Sequence, residues 1–316
     1  LVICFGTGNT TGTVSLFPGV EVDGVEIDKH VLSFAHRFSK WNRNVLEKSN
    51  VHMRIQDGRT FTRWTSNKYD VITLEPMSPV QAGTVNLYSK EFYQLAANRL
   101  NKDGLMMQWL PLHLVGPEDA RSILKTFQEV FPHTSIWNSL LTRIVLLVGS
   151  NEPIVPDRIR FDELMQTPEL KEAAQQMGVN SFLDFTDFFL TDGERVKSFV
   201  ESAEVVTDDR PLLEFSPVTL LPPLQWQVDE TFLNLLRHRV GHYPEVRGLI
   251  TSEKNRWRKN FRTRTAQRLS VFSRRYHGPG EHAFNQRNYR GGIKAIKAYL
   301  NKQGDEPIRL KGTQWK

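Results

Sequence analysis

A glycine-rich loop, and an acidic residue at the end of the next apolar run, carry the clearest chemical signal in the sequence. Gly6 and Gly8 directly follow the apolar run Leu1 to Phe5, and Glu26 ends the following run. Glycines let the backbone turn tightly and approach a ligand without a Cβ in the way. A carboxylate about twenty positions on can accept hydrogen bonds from both ribose hydroxyls. The pair predicts a nucleoside site. Two ligands remain as alternatives at this point, a dinucleotide and an adenosylmethionine-type ligand.

A second carboxylate helps to separate these alternatives. Asp57 and Gly58 follow a third apolar run, Val51 to Ile55. Asp57 can accept a hydrogen bond from an adenine amino group, while Gly58 allows close backbone approach. This arrangement favours the adenosylmethionine-type ligand, which carries a sulfonium group. An ordinary turn is the structural alternative for Asp57 and Gly58.

A third acidic residue, Glu75, follows the run Val71 to Leu74. Ligands of open α/β sheets bind in the crevice at the carboxyl ends of the strands, so Glu75 is expected to face that crevice. A carboxylate there can hold a cationic group and take a proton from it. A solvated side chain at a strand end is the alternative for Glu75.

These residues require a sheet to bring them together, and the sequence pattern predicts one. Short β-branched or apolar runs alternate with longer amphipathic stretches, which is typical of an α/β domain with helical crossovers. The predicted strands are Leu1 to Phe5, Val22 to Ile27, Val51 to Ile55, Val71 to Leu74, Leu105 to Trp109, His133 to Trp137 and Arg143 to Val148. The link from Asn138 to Thr142 is too short for a helix, so the last two strands should be antiparallel neighbours. A mostly parallel seven-stranded sheet with a terminal antiparallel hairpin is the Rossmann-like architecture associated with class I methyltransferases.

The pattern predicts two parts. Residues 1–217 should form the α/β domain, with a helical insertion at 151–204 that contains helices over Phe161 to Met177 and Ser181 to Phe199. Prolines 217, 222 and 223 mark a boundary, because closely spaced prolines break helix and sheet. Residues 218–316 should form a basic, helical and partly disordered extension.

The extension holds most of the positive charge. Within the net charge of +6, residues 251–316 carry seventeen Lys or Arg against four Asp or Glu. We expect a solvated extension rather than a nucleic-acid-binding one, because aromatic residues and recognised nucleic-acid motifs are sparse in it. The residues with tetratricopeptide-like spacing are Ala283, Ala295, Tyr299 and Pro307. A single amphipathic hairpin explains them equally well.

Composition excludes other classes of protein. A hydrophobic fraction of 39% excludes a disordered chain. No uncharged apolar stretch reaches the roughly 18 residues that a membrane-spanning helix needs. Metal binding is not expected, because the nine histidines have no paired ligand spacing and the single cysteine, Cys4, should be a small buried side chain in a core strand.

The region around Glu75 resembles a known family. The segment Asp70 to Glu75, the loop through Gly83 and the run Asn86 to Tyr93 are together similar to the catalytic loop of the spermidine and spermine synthases. The similarity covers about residues 1 to 150. Its other motifs, in the same order and spacing, are Gly6 to Asn9, Glu26 to Asp28 and Asp57-Gly58.

The resemblance implies aminopropyl transfer from decarboxylated S-adenosylmethionine to a polyamine such as putrescine, without a metal. It implies that Glu75 is catalytic, standing where the family has an aspartate. The implied cofactor-binding residues are Gly6, Gly8, Asn9, Glu26, Asp57 and Gly58. The implied substrate-binding residues are Glu75, Ser78 and Gln108.

Two departures from the family keep other functions open. Asn9 and Ser78 are neutral where the family usually has acidic residues. Decarboxylated cofactor and polyamine are both cations, so their binding benefits from several carboxylates. A methyltransferase that uses intact S-adenosylmethionine is therefore the first alternative. A catalytically degenerate nucleoside-binding interaction module is the second.

The resemblance also concerns parts beyond the chain. Leu1 lies inside a predicted strand, and the motif Asp208-Asp209-Arg210-Pro211 resembles bacterial members in which such a domain follows a membrane-embedded part. We therefore expect a piece of a longer protein. If the upstream part spans a membrane, this domain is cytoplasmic and the full-length protein is anchored in the inner membrane. The oligomeric state is open, with a homodimer as one arrangement.

Overall fold

The computed structural model describes residues 1–139 and 143–315, and a central sheet of eight strands organises it. The strands are β1 (Val2–Ile3), β2 (Val22–Glu26), β3 (Val51–Ile55), β4 (Tyr69–Leu74), β5 (Leu100–Pro111), β6 (His133–Asn138), β7 (Ile144–Ser150) and β8 (Phe189–Asp192). Their order in the sheet is β3-β2-β1-β4-β5-β7-β6-β8. The helices of this part are α1 (Asn9–Val14), α2 (Lys29–Phe34), α3 (Ser39–Asn42), α4 (Gly58–Trp64), α5 (Lys90–Ala97), α6 (Pro117–Gln128), α7 (Arg158–Leu164), α8 (Pro168–Gln176), α9 (Phe182–Asp187) and α10 (Gly193–Val200).

The predicted class of fold is confirmed. Strands β1 to β5 pair in parallel, whereas β7 is antiparallel to both β5 and β6. The predicted hairpin is therefore present, although residues 140–142 of its predicted link lie outside the described residues. Most of the buried strand residues are apolar, as is typical of parallel sheets covered on both faces.

The sheet has eight strands rather than the predicted seven, because the predicted helical insertion at 151–204 also contains a strand. Inside the predicted helix Ser181 to Phe199, the chain ends α9 and forms β8, which pairs antiparallel with β6. Phe189 and Leu190 of β8 are buried. An open edge on β6 would present unpaired backbone groups, and β8 covers it. The other predicted helix, Phe161 to Met177, is two helices, α7 and α8, with Pro168 opening the second.

The C-terminal part packs onto the same core. It contains α11 (Gln225–Arg237), α12 (Thr251–Arg275), α13 (Glu281–Asn285), α14 (Tyr289–Gln303) and a small antiparallel hairpin of β9 (Leu310–Lys311) and β10 (Gln314–Trp315). Phe232 of α11 and Ile123 of α6 belong to one hydrophobic cluster. Within the described residues, no helix combines the length and hydropathy that crossing a membrane requires. The boundary at residue 217 stays a prediction.

The positions with tetratricopeptide-like spacing are distributed over a short and a longer helix. Ala283 lies in the five-residue α13, whereas Ala295 and Tyr299 lie in α14. Phe284 of α13 packs where Gly292 of α14 leaves room, because a Cβ on that glycine would lie 2.2 Å from the Phe284 ring. The two helices form a packed hairpin, and its relation to a tetratricopeptide repeat stays a prediction.

A buried cation, Arg239, connects α12 to the end of α9. The Arg239 side chain has no exposed surface and pairs with Asp187, which also pairs with Arg268 at 2.9 Å. Arg239 Nε donates to Thr265 Oγ1 at 2.8 Å, and the guanidinium lies 3.9 Å from the centre of the Phe261 ring. Burial alone would raise the pKa of Asp187, but the charges of Arg239 and Arg268 outweigh it and lower that pKa. The carboxylate therefore stays ionised inside the protein.

Candidate active site

The carboxyl ends of the parallel strands bring the predicted acidic residues to one edge of the sheet. Ile3 of β1 pairs with Val25 of β2 on one side and with Leu74 of β4 on the other. The next residues along these three strands are Cys4, Glu26 and Glu75. Asp57 follows the end of β3, which pairs with β2. Strand register alone therefore gathers these side chains at a single crevice.

Cys4 lies where the charges of Glu26, Asp57 and Glu75 converge. Burial raises the pKa of its thiol to about 12, and the charges of Glu26, Asp57 and Glu75 act in the same direction. The thiol therefore stays protonated at neutral pH and lies in a negative field. Cys4 lies just beyond β1, is half-buried and has a left-handed φ of +67°, so the prediction of a buried side chain within a core strand is wrong.

Glu26 links the glycine loop to β2. Its side chain is 7% exposed. It accepts the N–H of Phe5 at 2.9 Å through one carboxylate oxygen and the N–H of Asp28 at 3.1 Å through the other. Two ionised oxygens offer about four acceptor positions. Two positions therefore remain for a ligand's hydroxyl groups.

The glycines predicted to bind the cofactor divide into two kinds. A Cβ on Gly6, which has φ +56°, would meet no atom within 4 Å. In contrast, a Cβ on Gly8 would lie 2.4 Å from the Phe5 ring, and one on Gly58 would lie 2.3 Å from Ile3. Gly6 therefore borders open space that a ligand can fill, whereas Gly8 and Gly58 are already required by the packing of the protein.

Asn42, which sequence reasoning missed, supports the glycine loop from beneath. It is 1% exposed, and its amide donates to the carbonyl oxygens of Thr7 at 2.9 Å and Ala35 at 2.8 Å. A Cβ on Gly12 would lie 2.2 Å from the Asn42 carbonyl oxygen, so this contact also requires a glycine. No local motif marks Asn42, because its partners are distant in the sequence.

Asp57 has a structural role as a helix cap, which agrees with the alternative that Asp57 and Gly58 form an ordinary turn. Its Oδ1 accepts the N–H of Thr60 at 2.7 Å and thereby caps α4. The other oxygen, Oδ2, has no hydrogen-bond partner among the described residues, so it can accept from a ligand. Asn9 is exposed at the first position of α1, beside the glycine loop.

Glu75 lies where β4 ends and the next loop begins. The residue as a whole is exposed, but the surrounding chain partly desolvates its carboxylate, which raises its pKa. Tyr88 lies close to it and is completely buried, which raises the pKa of the phenol well above its ordinary value. Ser78 is half-buried in the loop that follows β4, and its carbonyl accepts the N–H of Gln81 at 3.1 Å.

Gln108 lies beneath that loop rather than in open solvent. It is 0% exposed, pairs with Leu74 in the sheet register and contacts Tyr88. Its Nε2 donates to the Trp109 carbonyl oxygen at 3.2 Å. Its Oε1 is buried without a hydrogen-bond partner in the described part of the chain. A role for Gln108 in the substrate cleft stays a prediction.

The loop after β4 is held by residues that were not predicted as site residues. The Gly83 N–H donates to Glu214 Oε1 at 2.8 Å, and Arg59 donates to the Asn86 carbonyl oxygen at 2.9 Å. Arg59 also pairs with Asp208. The sequence signal that could have found them is the Asp-Asp-Arg-Pro motif at residues 208–211, which was interpreted only as a resemblance to bacterial family members.

A groove of about 830 Å³ lies in a different place, between α7, α9 and α12. Its charged lining residues include Arg158, which pairs with Asp162 and Glu253. None of the strand-end carboxylates lines it. We assign the candidate site to the strand ends, because the acidic residues, the open glycine and the raised pKa of Glu75 occur together there.

Comparison with known proteins confirms the predicted resemblance over the first part of the chain. Residues 1–145 match the family model described as Spermine/spermidine synthase domain. This stretch contains the glycine loop, Glu26, Asp57 and Glu75. The predicted upstream membrane part stays a prediction.

Individual relatives agree with this match. The chain is 29% identical over 142 residues to a polyamine aminopropyltransferase of Alkaliphilus oremlandii, which covers 44% of this chain and 50% of the relative. It is 27% identical over 185 residues to a polyamine aminopropyltransferase of Bacillus cereus, which covers 55% of this chain and 67% of the relative. The chain thus spans half the length of the first relative and 67% of the second. A crystal structure of a probable spermidine synthase from Corynebacterium glutamicum aligns with a TM-score of 0.46 and 18% identity, covering 66% of this chain and 71% of that one.

Proposed function

We propose that this chain is a polyamine aminopropyltransferase, similar to spermidine synthase, that transfers the aminopropyl group of decarboxylated S-adenosylmethionine to a polyamine such as putrescine. The observation that carries the proposal is the convergence of Glu26, Asp57 and Glu75 at one crevice, inside the stretch that matches the spermine/spermidine synthase domain. Both co-substrates are cations. A partly buried crevice lined by carboxylates attracts cations and orients them.

The adenosine end of the co-substrate fits the ends of β1 to β3. We assign the ribose hydroxyls to the two free acceptor positions of Glu26, and the adenine amino group to Asp57 Oδ2. Gly58 brings the backbone close to the base. The glycine loop borders the sulfonium side, with Gly6 providing the open surface. Gly8 fixes the shape of the loop, and Asn9 lies beside it.

The transfer step follows from the position of Glu75. Its carboxylate holds the protonated amine of the polyamine and takes a proton from it, which frees the nitrogen lone pair. The nitrogen attacks the aminopropyl carbon next to the sulfonium. A carbon–nitrogen bond forms, and the carbon–sulfur bond breaks. Its electron pair stays on sulfur, so a neutral adenosyl thioether leaves. The product nitrogen is a secondary ammonium, and the proton that Glu75 took is released to solvent, which returns the carboxylate to its ionised form.

The raised pKa of Glu75 suits this role. A partly desolvated carboxylate is a stronger base than a solvated one. We place Ser78 and Gln108 on the acceptor side, where the buried Oε1 of Gln108 has no hydrogen-bond partner among the described residues. The reaction as proposed needs no metal ion.

The direct test is an assay of product formation. The protein is incubated with decarboxylated S-adenosylmethionine and putrescine, and spermidine and the adenosyl thioether are measured by mass spectrometry. The proposal expects both products in equal amounts. Formation of a methylated acceptor from intact S-adenosylmethionine would instead establish the methyltransferase alternative. Binding of either cofactor without any product would establish a nucleoside-binding module.

A further inference from the structure

A segment distant in the sequence lies against the loop that carries the acceptor side. We call residues 76–89, between β4 and α5, the substrate loop, and residues 206–216, which follow α10, the clamp. The clamp begins at Val206 and contains Leu213, and both side chains are completely buried in the main core. At its end, Ser216 Oγ donates to Asp119 Oδ2 at 2.5 Å. The clamp is therefore fixed to the body of the protein at several points.

Arg59 joins the clamp to the substrate loop. Its guanidinium pairs with Asp208 through two hydrogen bonds, one of them 2.7 Å from Nη1 to Oδ1. The same Nη1 donates to the Asn86 carbonyl oxygen at 2.9 Å and to Ser89 Oγ at 3.2 Å. The Arg59 side chain is only 14% exposed, so this pair is partly shielded from solvent. Its hydrogen bond to Asp208 lowers the pKa of that carboxyl, which keeps the pair ionised.

Backbone contacts extend the same junction on both sides. The Asp208 N–H donates to Glu91 Oε2 at 3.0 Å, and the Lys90 N–H donates to the Val206 carbonyl oxygen at 2.9 Å. Near the middle of the substrate loop, the Gly83 N–H donates to Glu214 Oε1 at 2.8 Å. The loop is thus held near its middle and at its end, and both supports come from the clamp or from Arg59.

We propose that the clamp positions the substrate loop for transfer, with Arg59 and Asp208 as positioning residues. This inference rests on the proposed aminopropyl transfer. Arg59 directly follows Gly58, the residue assigned to the adenine, so one side chain connects the adenosine side of the crevice to the loop on the acceptor side. Neither positioning residue is required to touch the reacting atoms. Each acts through the position of the loop, and hence on the geometry between the amine and the aminopropyl carbon.

The kinetic test uses Asp208→Asn, which keeps the shape of the side chain but removes its charge. The matched control is Asp209→Asn, because Asp209 is exposed and makes no hydrogen bond or ion pair within the described residues. We expect kcat/KM for the polyamine to fall about 10-fold to 100-fold in Asp208→Asn, because small misplacements of reacting groups have effects of this size. The affinity for the adenosyl ligand should stay unchanged, and Asp208→Glu should recover part of the lost rate. Equal kcat/KM in Asp208→Asn and Asp209→Asn would overturn the proposal.

A second measurement does not depend on turnover. Hydrogen exchange of the amides of residues 83–91 should become faster in Asp208→Asn than in Asp209→Asn, while exchange in the glycine loop stays the same. Faster exchange in a protein without transferase activity would retain the clamp and reject the proposed function. Active protein with unchanged exchange would reject the clamp and retain the proposed function. The two failures are therefore distinguishable.

Discussion

The proposed adenosine side and the proposed acceptor side of the crevice are built in different ways. On the adenosine side, Glu26 and Asp57 each bond to backbone N–H groups of the adjoining turn or helix. On the acceptor side, the loop after β4 is held by Arg59 and by the clamp, which arrives from much later in the chain. The first arrangement follows from local sequence and strand order. The second depends on tertiary structure, so the two sides should respond differently to substitution.

The largest expected effect lies on the acceptor side. Glu75→Gln removes the proposed base but keeps the size of the side chain, so turnover should fall by about 10² to 10⁴ while affinity for the adenosyl ligand is retained. Steady-state kinetics and ligand titration measure the two quantities separately. Glu75→Asp, which keeps the charge, is the control and should retain far more activity. Full turnover by Glu75→Gln would remove this residue from the mechanism.

A substitution distant from both sides should affect stability alone. Asp187→Asn leaves the buried Arg239 without its anion, which should lower the free energy of unfolding by about 3–5 kcal/mol. Asp162→Asn, in a pair with Arg158 that is much more exposed, should lower it by less than about 1 kcal/mol. Urea unfolding compares them. A specific loss of adenosyl affinity in folded Asp187→Asn would mean that the crevice and the helical part are not separable.

On the adenosine side, Glu26→Gln should weaken the adenosyl ligand. The amide keeps one acceptor oxygen and loses the charge, so binding should weaken by about 1–3 kcal/mol. Calorimetric titration measures the affinity for the adenosyl ligand. Thermal unfolding shows how far the substitution also lowers the stability of the protein. Glu21→Gln is the control, because Glu21 is exposed and contacts His52. An equal loss of affinity in both variants would contradict the ribose assignment.

Substitutions at two glycines distinguish a role in packing from a role in binding the ligand. Gly58→Ala forces a Cβ against Ile3 and should lower stability by about 1–3 kcal/mol. Gly6→Ala meets no protein atom, so its cost in stability should be smaller, about 1–2 kcal/mol for the left-handed backbone. Its added methyl group should nevertheless reduce adenosyl affinity. Unchanged affinity in Gly6→Ala would mean that the ligand does not approach this glycine.

The pH dependence should give the smallest effect. Partial burial raises the pKa of Glu75 above the ordinary value of about 4.3 for glutamate. The base is active when ionised, so kcat/KM should fall as the pH decreases through that raised pKa. This acidic limb should begin at a higher pH than a solvated glutamate would produce, and it should be absent in Glu75→Gln. A limb that persists in the variant would belong to another group.

The strand ends and the residues placed at them could be predicted from the sequence because their signals are local, whereas their roles toward a ligand stay predictions. Strand ends, glycines with positive φ and carboxylates at defined offsets can all be recognised from short stretches of the sequence. The eighth strand was missed because β8 has only four residues and lies between two short helices, where apolar periodicity does not separate strand from helix. It exists because β6 offers an edge to pair with.

The acceptor side was only half predictable for the same reason. Glu75 and Ser78 could be placed from the end of a strand and from a family resemblance. The partners Arg59 and Asp208 lie far apart in the sequence, so no local pattern joins them. The packing roles of Gly8 and Gly58 were likewise invisible, because Phe5 and Ile3 contact them only in the folded state.

The central claim is tested most directly by calorimetric titration of the protein with decarboxylated and with intact S-adenosylmethionine, each with and without putrescine. The account predicts tighter binding of the decarboxylated form, strengthened further by putrescine, because the carboxylates of the crevice repel the extra negative charge of the intact cofactor. Tighter binding of the intact form, unaffected by putrescine, would contradict aminopropyl transfer and assign the crevice to methyl transfer.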